Sequence, residues 1–203
     1  MVPLILPVGH FAGPMFTSPD SEAPQSFEVR FRDGVFSLSA QEYAIWAVAH
    51  GDPEKVGKSG LHRLGVLDAA KAAGVERPEP LFDSLLDDGL LVEIPPESHD
   101  QVSFAVRHQI YPLALGLGNS PAQLGAFQIG MPNAARATVG YDVYHLWLFT
   151  HRQPTLWHAI RLIAREAEET VELISDPLVL LRGMLDALPV LISTSCVYID
   201  RRD

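Results

Sequence analysis

One cysteine, Cys196, stands in 203 residues. A single thiol builds no disulfide framework and no cysteine-based zinc site. Long apolar runs are missing as well. Stretches such as LLVEI and PVLIS fall far short of the ~18 residues needed to span a bilayer, so no membrane partner is expected. The opening MVPLILPVGHF is apolar but carries no Lys or Arg and has two early prolines. It does not have the pattern of a signal peptide. These absences make a cytoplasmic protein the expectation. Positive charge is also scarce: 15 Lys and Arg face 25 Asp and Glu, a net charge of −10. The imbalance sits early, with 7 basic and 16 acidic side chains in residues 1–100 against 8 and 9 in residues 101–203. Such a balance repels a phosphate backbone, because nucleic-acid affinity depends on cationic contacts. Any DNA contact would need a local basic stripe.

What is present is enough for a core. Apolar residues make up 47% of the chain and its mean hydropathy is +0.11. A chain of this length forms one large domain or two small ones and buries roughly 70% of its extended surface. The clearest pattern is internal. YAIWAVAHGDP, Tyr43 to Pro53, returns as YHLWLFTHRQP, Tyr144 to Pro154. Tyr43/Tyr144, Trp46/Trp147, His50/His151 and Pro53/Pro154 keep their spacing. Tyr and Trp three apart share a helical face and suit a core. A His in the last turn favours the helix dipole and can bond the end carbonyls. The repeated skeleton therefore describes a structural unit built twice, not a catalytic signature.

The organisation follows from that repeat. Residues 1–26, with five prolines, have the character of an extended arm. FEVRFRDGVFSL alternates around Asp33-Gly34, a hairpin signal. The helix SAQEYAIWAVAH has Ser39 at its N-cap and Glu42 at capping-box spacing, with Gly51 as its stop. A second helix ends at Gly74. A third, PEPLFDSLLDDG, places Leu81, Phe82, Leu85 and Leu86 on one face and stops at Gly89. LLVEIPPESHDQVSFAV then has the pattern of strand, polar turn, strand. Hairpin, three helices and hairpin is the winged-helix order. The second unit opens at Phe127, with Phe27/Phe127 and Val29/Ile129 at an offset of 100 and Tyr43/Tyr144 at 101. TLWHAIRLIAREAEE takes the second-helix place, and DPLVLLRGMLDALP matches the third helix at an offset of 99, pairing Leu85 with Met184. VLISTSCVYID takes the place of the final hairpin. The expectation is an α+β fold of two tandem winged-helix units (an internal repeat). Its parts are an arm at 1–26, a first unit at 27–111, a glycine-rich connector at 112–126 and a second unit at 127–203.

Several fragments look enzymatic and each has a plainer explanation. GDPEKVGKSG resembles a phosphate-binding loop, but Gly51 and Gly57 enclose five residues where the loop needs four. GLGN at Gly116 lacks the third glycine of a dinucleotide turn, and Asn119-Ser120-Pro121 suits a turn. Cys196 has apolar flanks and no nearby His, the setting of a buried thiol. His145, His151 and His158 share no metal-ligand spacing. No catalytic residue, metal or cofactor is assigned.

A DNA-reading winged helix places basic or amide side chains on its third helix. Here that helix offers Glu79, Asp83, Asp87 and Asp88, and its counterpart offers Arg182 against Asp176 and Asp186. Arg30 and Arg32, with Lys55, Lys58 and Arg63, form at most a modest patch. Charge therefore disfavours DNA.

FRDGVFSLSAQEYAIWAVAHG resembles the opening of PqqD-like domains, winged-helix modules that recognise leader peptides of ribosomally made natural products. The likeness covers residues 27–51 and extends in outline to 94. In the second copy MPNAARATVGYDVYHLW lacks the Asp-Gly turn. The resemblance implies that a peptide adds as a strand to the sheet edge and packs on the third helix, a form of β-augmentation. It points to Arg30, Phe31 and Arg32 on the strand and to Leu81, Phe82, Leu85 and Leu86 on the helix. The expected function is a non-catalytic adaptor or regulator that binds a peptide or protein, with the acidic first unit favouring a basic partner. A transcriptional regulator using a non-standard surface is the alternative, and an enzyme of unrecognised type the third reading. The apolar content permits a homodimer without requiring one.

Overall fold

The computed structural model describes residues 2–55, 61–167 and 174–202 of an α+β chain. It divides into two compact units, residues 1–94 and 95–203.

The first unit begins with β1 (Leu4–Pro7), β2 (His10–Met15), β3 (Ser26–Phe31) and β4 (Gly34–Leu38). Three helices follow, α1 (Ala40–Val48), α2 (Arg63–Ala72) and α3 (Pro78–Asp87), and then β5 (Leu91–Ile94). β2, β3 and β4 form an antiparallel sheet in that order, and β5 returns to pair with β1. The Pro-rich start is therefore no free arm. Leu4 pairs Ile94, Pro7 ends β1, and Pro14 lies in the edge strand β2, where a missing N–H costs little. The β3–β4 turn is Arg32-Asp33, one residue earlier than the Asp-Gly signal suggests, with Arg32 left-handed at φ 56°. Helix α1 is capped as its sequence predicts. Ser39 Oγ accepts from Glu42 N–H and the Glu42 carboxylate accepts from Ser39 N–H. Gly51, Gly74 and Gly89 all take positive φ just past the three helices. Ile5, Val29, Ile45, Trp46, Phe82, Leu85 and Leu90 are buried to 3% exposure or less and form the core.

The second unit runs in a similar order. It contains β6 (His108–Pro112), β7 (Leu115–Ser120), β8 (Gln123–Met131) and β9 (Ala134–Val139), then α5 (Tyr141–Phe149), a 3-10 turn (Thr150–Arg152), α6 (Leu156–Ala167), α7 (Pro177–Ser193) and β10 (Val197–Arg201). β7, β8 and β9 form one antiparallel sheet and β10 pairs back to β6. The stretch 112–126 is thus the end of β6, all of β7 and the start of β8, not a connector. Its glycines serve the strand: Gly118, at φ 74°, sits at the β7 bulge. The hairpin that lacks Asp-Gly turns through Pro132-Asn133, with Asn133 at φ 63°, the arrangement a type II turn requires. A register shift between Ile129 and Gly130 leaves Arg136 as an extra residue in β9, which accounts for the step from 100 to 101 in the repeat offset.

Neither unit ends in the expected hairpin among the described residues. In place of a polar turn and strand after β5 stands helix α4 (Ser98–Arg107), which packs on α6 and α7 and buries Phe104 and Ala105. VLIS, assigned above to a strand, completes α7, which passes through Pro189. An interior proline costs a helix about 3 kcal/mol. Burial of Leu191 and Ile192 beyond it returns roughly 1.5–3 kcal/mol each. The match of α3 with α7 at an offset of 99 therefore holds at Pro78 and Pro177, the first residues of the two helices, and not at their ends.

Two hydrogen bonds show how each unit closes. Ile5 N–H donates to Leu61 C=O at 2.7 Å, so the segment before α2 flanks β1. In the second unit the fully buried Gln109 side chain does comparable work. Its Oε1 accepts from Ile110 N–H (2.8 Å), and its Nε2 donates to Thr150 O (2.8 Å) and Gln153 O (2.6 Å). Replacing Gln109 by Leu keeps the bulk and strands three backbone groups. A loss of about 3 kcal/mol is expected, since each unsatisfied buried group costs roughly 1–3 kcal/mol. Urea titration of the variant checks it as a lower midpoint with an unchanged slope.

Candidate functional site

The seven residues expected to bind a peptide do not line one groove. Arg30, Phe31 and Arg32 close β3 and enter its turn. Phe31 points into the core at 3% exposure and meets Phe36 edge-on at 5.7 Å. Arg30 is half-buried on the opposite face, across from Val35, and Arg32 is an exposed turn residue. On α3, Phe82 and Leu85 are buried at 0% and 1%, while Leu81 and Leu86 are half-buried. Helix α1 is packed on β3 and β4, and α3 packs on α1, α2 and β5. β3 is also the central strand, hydrogen-bonded on both sides. It offers no edge to a peptide.

The open edge belongs to β4. Gly34, Val35 and Ser37 are exposed, Val35 at 60%, while Phe36 and Leu38 face the core side. The sheet beside it is braced: Ser26 Oγ and Ser37 Oγ both donate to the Glu28 carboxylate, at 2.7 and 3.1 Å. From Phe27↔Leu38 to Phe31↔Gly34 the β3–β4 register is unbroken. The other edge strands of the two three-stranded sheets are all irregular. β2 shifts register between Phe11 and Gly13, β7 shifts twice, and β9 carries the Arg136 bulge. Bulges blunt an edge against strand addition. Sheet order was the missing information, and no local sequence pattern encodes it.

The charges on and near α3 are largely paired. Glu79 on α3 pairs with Lys71 at 2.8 Å, and Lys71 holds the Glu79 carboxyl below the usual carboxylate range. Asp83 pairs with Arg63, whose guanidinium also lies 4.8 Å over the Phe82 ring. Lys55 pairs with Asp52 at 3.0 Å. Lys58 and the Gly57-Lys58-Ser59 stretch of the loop-like motif lie outside the described residues. Asp87 and Asp88 remain exposed at the end of α3. Arg63 and Lys71 are thus engaged by carboxylates of this helix.

The histidines separate by environment. His50 Nδ1 lies 3.0 Å from Trp46 O with its ring 4.4 Å from the indole, as a last-turn His should. Its counterpart His151 is exposed in the 3-10 turn. His158 Nδ1 lies 2.8 Å from Thr155 Oγ1. Among the described residues no group of three His, Cys, Asp or Glu side chains could hold a metal ion. Cys196 is fully buried, and burial pushes its thiol above the ordinary range. Among the described residues no helix is long and apolar enough to cross a membrane.

His108 carries no signal in the sequence, yet the fold perturbs it strongly. It is 5% exposed, stacks on Phe104 at 4.5 Å and has Nδ1 2.9 Å from Phe104 O. Burial lowers its pKa to about 4, and Arg107 and Arg201 add to the effect. A histidine depressed in the native state binds its proton first in the unfolded chain. The stability it contributes is complete above pH 6.5 and is lost as pH falls from 6.5 towards 4. The shift corresponds to about 3 kcal/mol at full expression. Chemical denaturation at pH 7 and pH 4.5 should therefore show a smaller acid loss in His108→Gln than in the wild type. Equal losses would assign the acid sensitivity to other groups.

No family model, no curated protein and no solved structure matches this chain.

Proposed function

We propose that the protein is a non-catalytic adaptor or regulator made of two tandem winged-helix-like units, in which a returning strand stands where a wing would be. Its first unit takes up an extended peptide segment along β4. The observation that carries this reading is the unbroken, solvent-open register of β4 beside three irregular edges. Strand addition draws affinity from backbone hydrogen bonds and choice from alternate side chains. A peptide at β4 would set one row of side chains beside Val35 and Ser37 and the other beside Phe36. The net acidic charge of the first unit favours a basic partner. The tandem reading rests on the shared element order and on the paired Trp46 and Trp147. The preference for protein over DNA rests on α3, where Arg63 and Lys71 are committed to Asp83 and Glu79.

A photoreactive phenylalanine analogue at Val35 tests this in the native host. The same analogue at Leu64, 70% exposed on α2, serves as control. A single dominant adduct from position 35, mapped to an extended basic segment of another protein, is the expected result. Ser37→Pro, which takes one N–H from the edge strand, should reduce its yield at least tenfold. Equal adducts from both positions, or retention of a labelled DNA duplex at about 0.15 M salt, would overturn the reading.

A further inference from the structure

The second unit holds a cavity of about 430 Å³ between α5, the 3-10 turn and α6. Its walls are mixed in a way that names a ligand. His145 and Phe149 line one side, their rings 4.9 Å apart and nearly edge-on. Ala159, Leu162 and Ile163 form an apolar opposite wall. Arg152 and Glu166 stand among the lining residues with one charge of each sign. The turn that carries Arg152 and leads into Gln153 is fixed from behind, because Gln109 bonds the carbonyls of Thr150 and Gln153 and Thr150 Oγ1 donates to Ile110 O. The cation is thus presented by a braced backbone.

The first unit supplies an internal control. Counting from each tryptophan, His145 and Phe149 correspond to Ala44 and Val48. His62 and Thr155 both accept the amide three residues ahead, at the heads of α2 and α6. Counting from them, Leu162, Ile163 and Glu166 correspond to Ala69, Ala70 and Ala73. The first unit has small apolar residues at each of these places. An aromatic wall and ionisable groups are present in the second unit alone, so the cavity is not a by-product of the shared helix arrangement.

We propose that this cavity is a binding site for a small monocarboxylate with an apolar body, aromatic or branched aliphatic. Its carboxylate pairs with Arg152 and its body lies between Phe149 and the Leu162–Ile163 wall. One guanidinium balances one negative charge, and an Arg–carboxylate pair is favoured by its planar geometry. Arg152 is the one cationic side chain among the lining residues, which disfavours phosphate esters and other dianions. The volume lies within the range of small-molecule sites and suits a ligand of about ten to fifteen heavy atoms.

Thermal unfolding of the full chain with 3-phenylpropanoate as probe tests the proposal. Ligand at about ten times its Kd should raise Tm by roughly 3–5 °C. The matched amide, 3-phenylpropanamide, and the dianion phenyl phosphate should each need at least a tenfold higher concentration for the same shift. Arg152→Gln should remove the preference of acid over amide, and Leu162→Trp, which fills the cavity, should remove the shift with every compound. Phenylalanine as a further arm asks whether Glu166 also takes an ammonium group: a shift larger than the propanoate's narrows the class to amino acids. Equal shifts from acid and amide, an unchanged preference in Arg152→Gln, a shift that survives Leu162→Trp, or no shift with either acid would each overturn the proposal. The photocrosslinking at β4 is independent of these outcomes.

Discussion

In each unit a buried indole N–H is tied to a main-chain carbonyl at the place where the first and last strands meet. Trp46 Nε1 donates to Val8 O at 3.0 Å, and Trp147 Nε1 donates to Cys196 O at 3.1 Å. Val8 N–H in turn donates to Leu90 O, and Leu113 N–H to Cys196 O, closing the same ends of the strand pairs. Both tryptophans are nearly inaccessible, so their N–H groups need these partners. The bond sets α1 against β1–β5 and α5 against β6–β10. Once a strand and a helix are locked in this way, the three-stranded sheet can lie only where the remaining face of the helix allows.

The two units meet this constraint with different side chains. Phe11 stacks on Tyr43 at 4.9 Å in the first. The corresponding position in the second is Gly116, where a Cβ would collide with the Tyr144 hydroxyl, so the tyrosine occupies the space the phenylalanine ring fills elsewhere. Gly130 is similarly required: a side chain there would strike the backbone of the β9 bulge. Gln109 replaces with one side-chain amide what the Leu61 carbonyl does for β1. These exchanges are local. They preserve strand pairing and helix order while altering which surfaces are regular and which clefts are open.

That distinction explains how much of the fold could be seen in the chain itself. Features set by near neighbours were legible: the Ser39–Glu42 capping box, the glycine stops at Gly74 and Gly89, the inward Tyr–Trp face and the β3–β4 hairpin. Features set by distant partners were not. β1 is four residues with a proline, and it is a strand because Leu4 finds Ile94. SHDQVSFAV alternates like a strand, but burial of Phe104 against α6 and α7 makes it helical. Pro189 looks like a terminus until the burial of Leu191 and Ile192 is weighed against it. The candidate site follows the same rule. The hairpin carrying Arg30 to Arg32 was visible, whereas the identity of β4 as the usable edge and the closing of the 3-10 turn by Gln109 depend on contacts some forty or more residues apart, or on sheet order.

The same physics separates the capacities of the two units. A strand can be added only to an edge whose amides and carbonyls keep a regular spacing, and β4 has this while β9, interrupted at Arg136, does not. A small molecule needs a concave, partly apolar space with a few placed polar groups. The α5–α6 side provides this because Phe149, Leu162 and Arg152 stand where the first unit has Val48, Ala69 and Gly51. Small residues allow α1 and α2 to pack directly, whereas larger ones and the inserted 3-10 turn hold α5 and α6 around a space. A bulge that spoils one surface and a set of bulky residues that opens another are independent changes. Each can therefore be altered without disturbing the tryptophan closure on which both units stand.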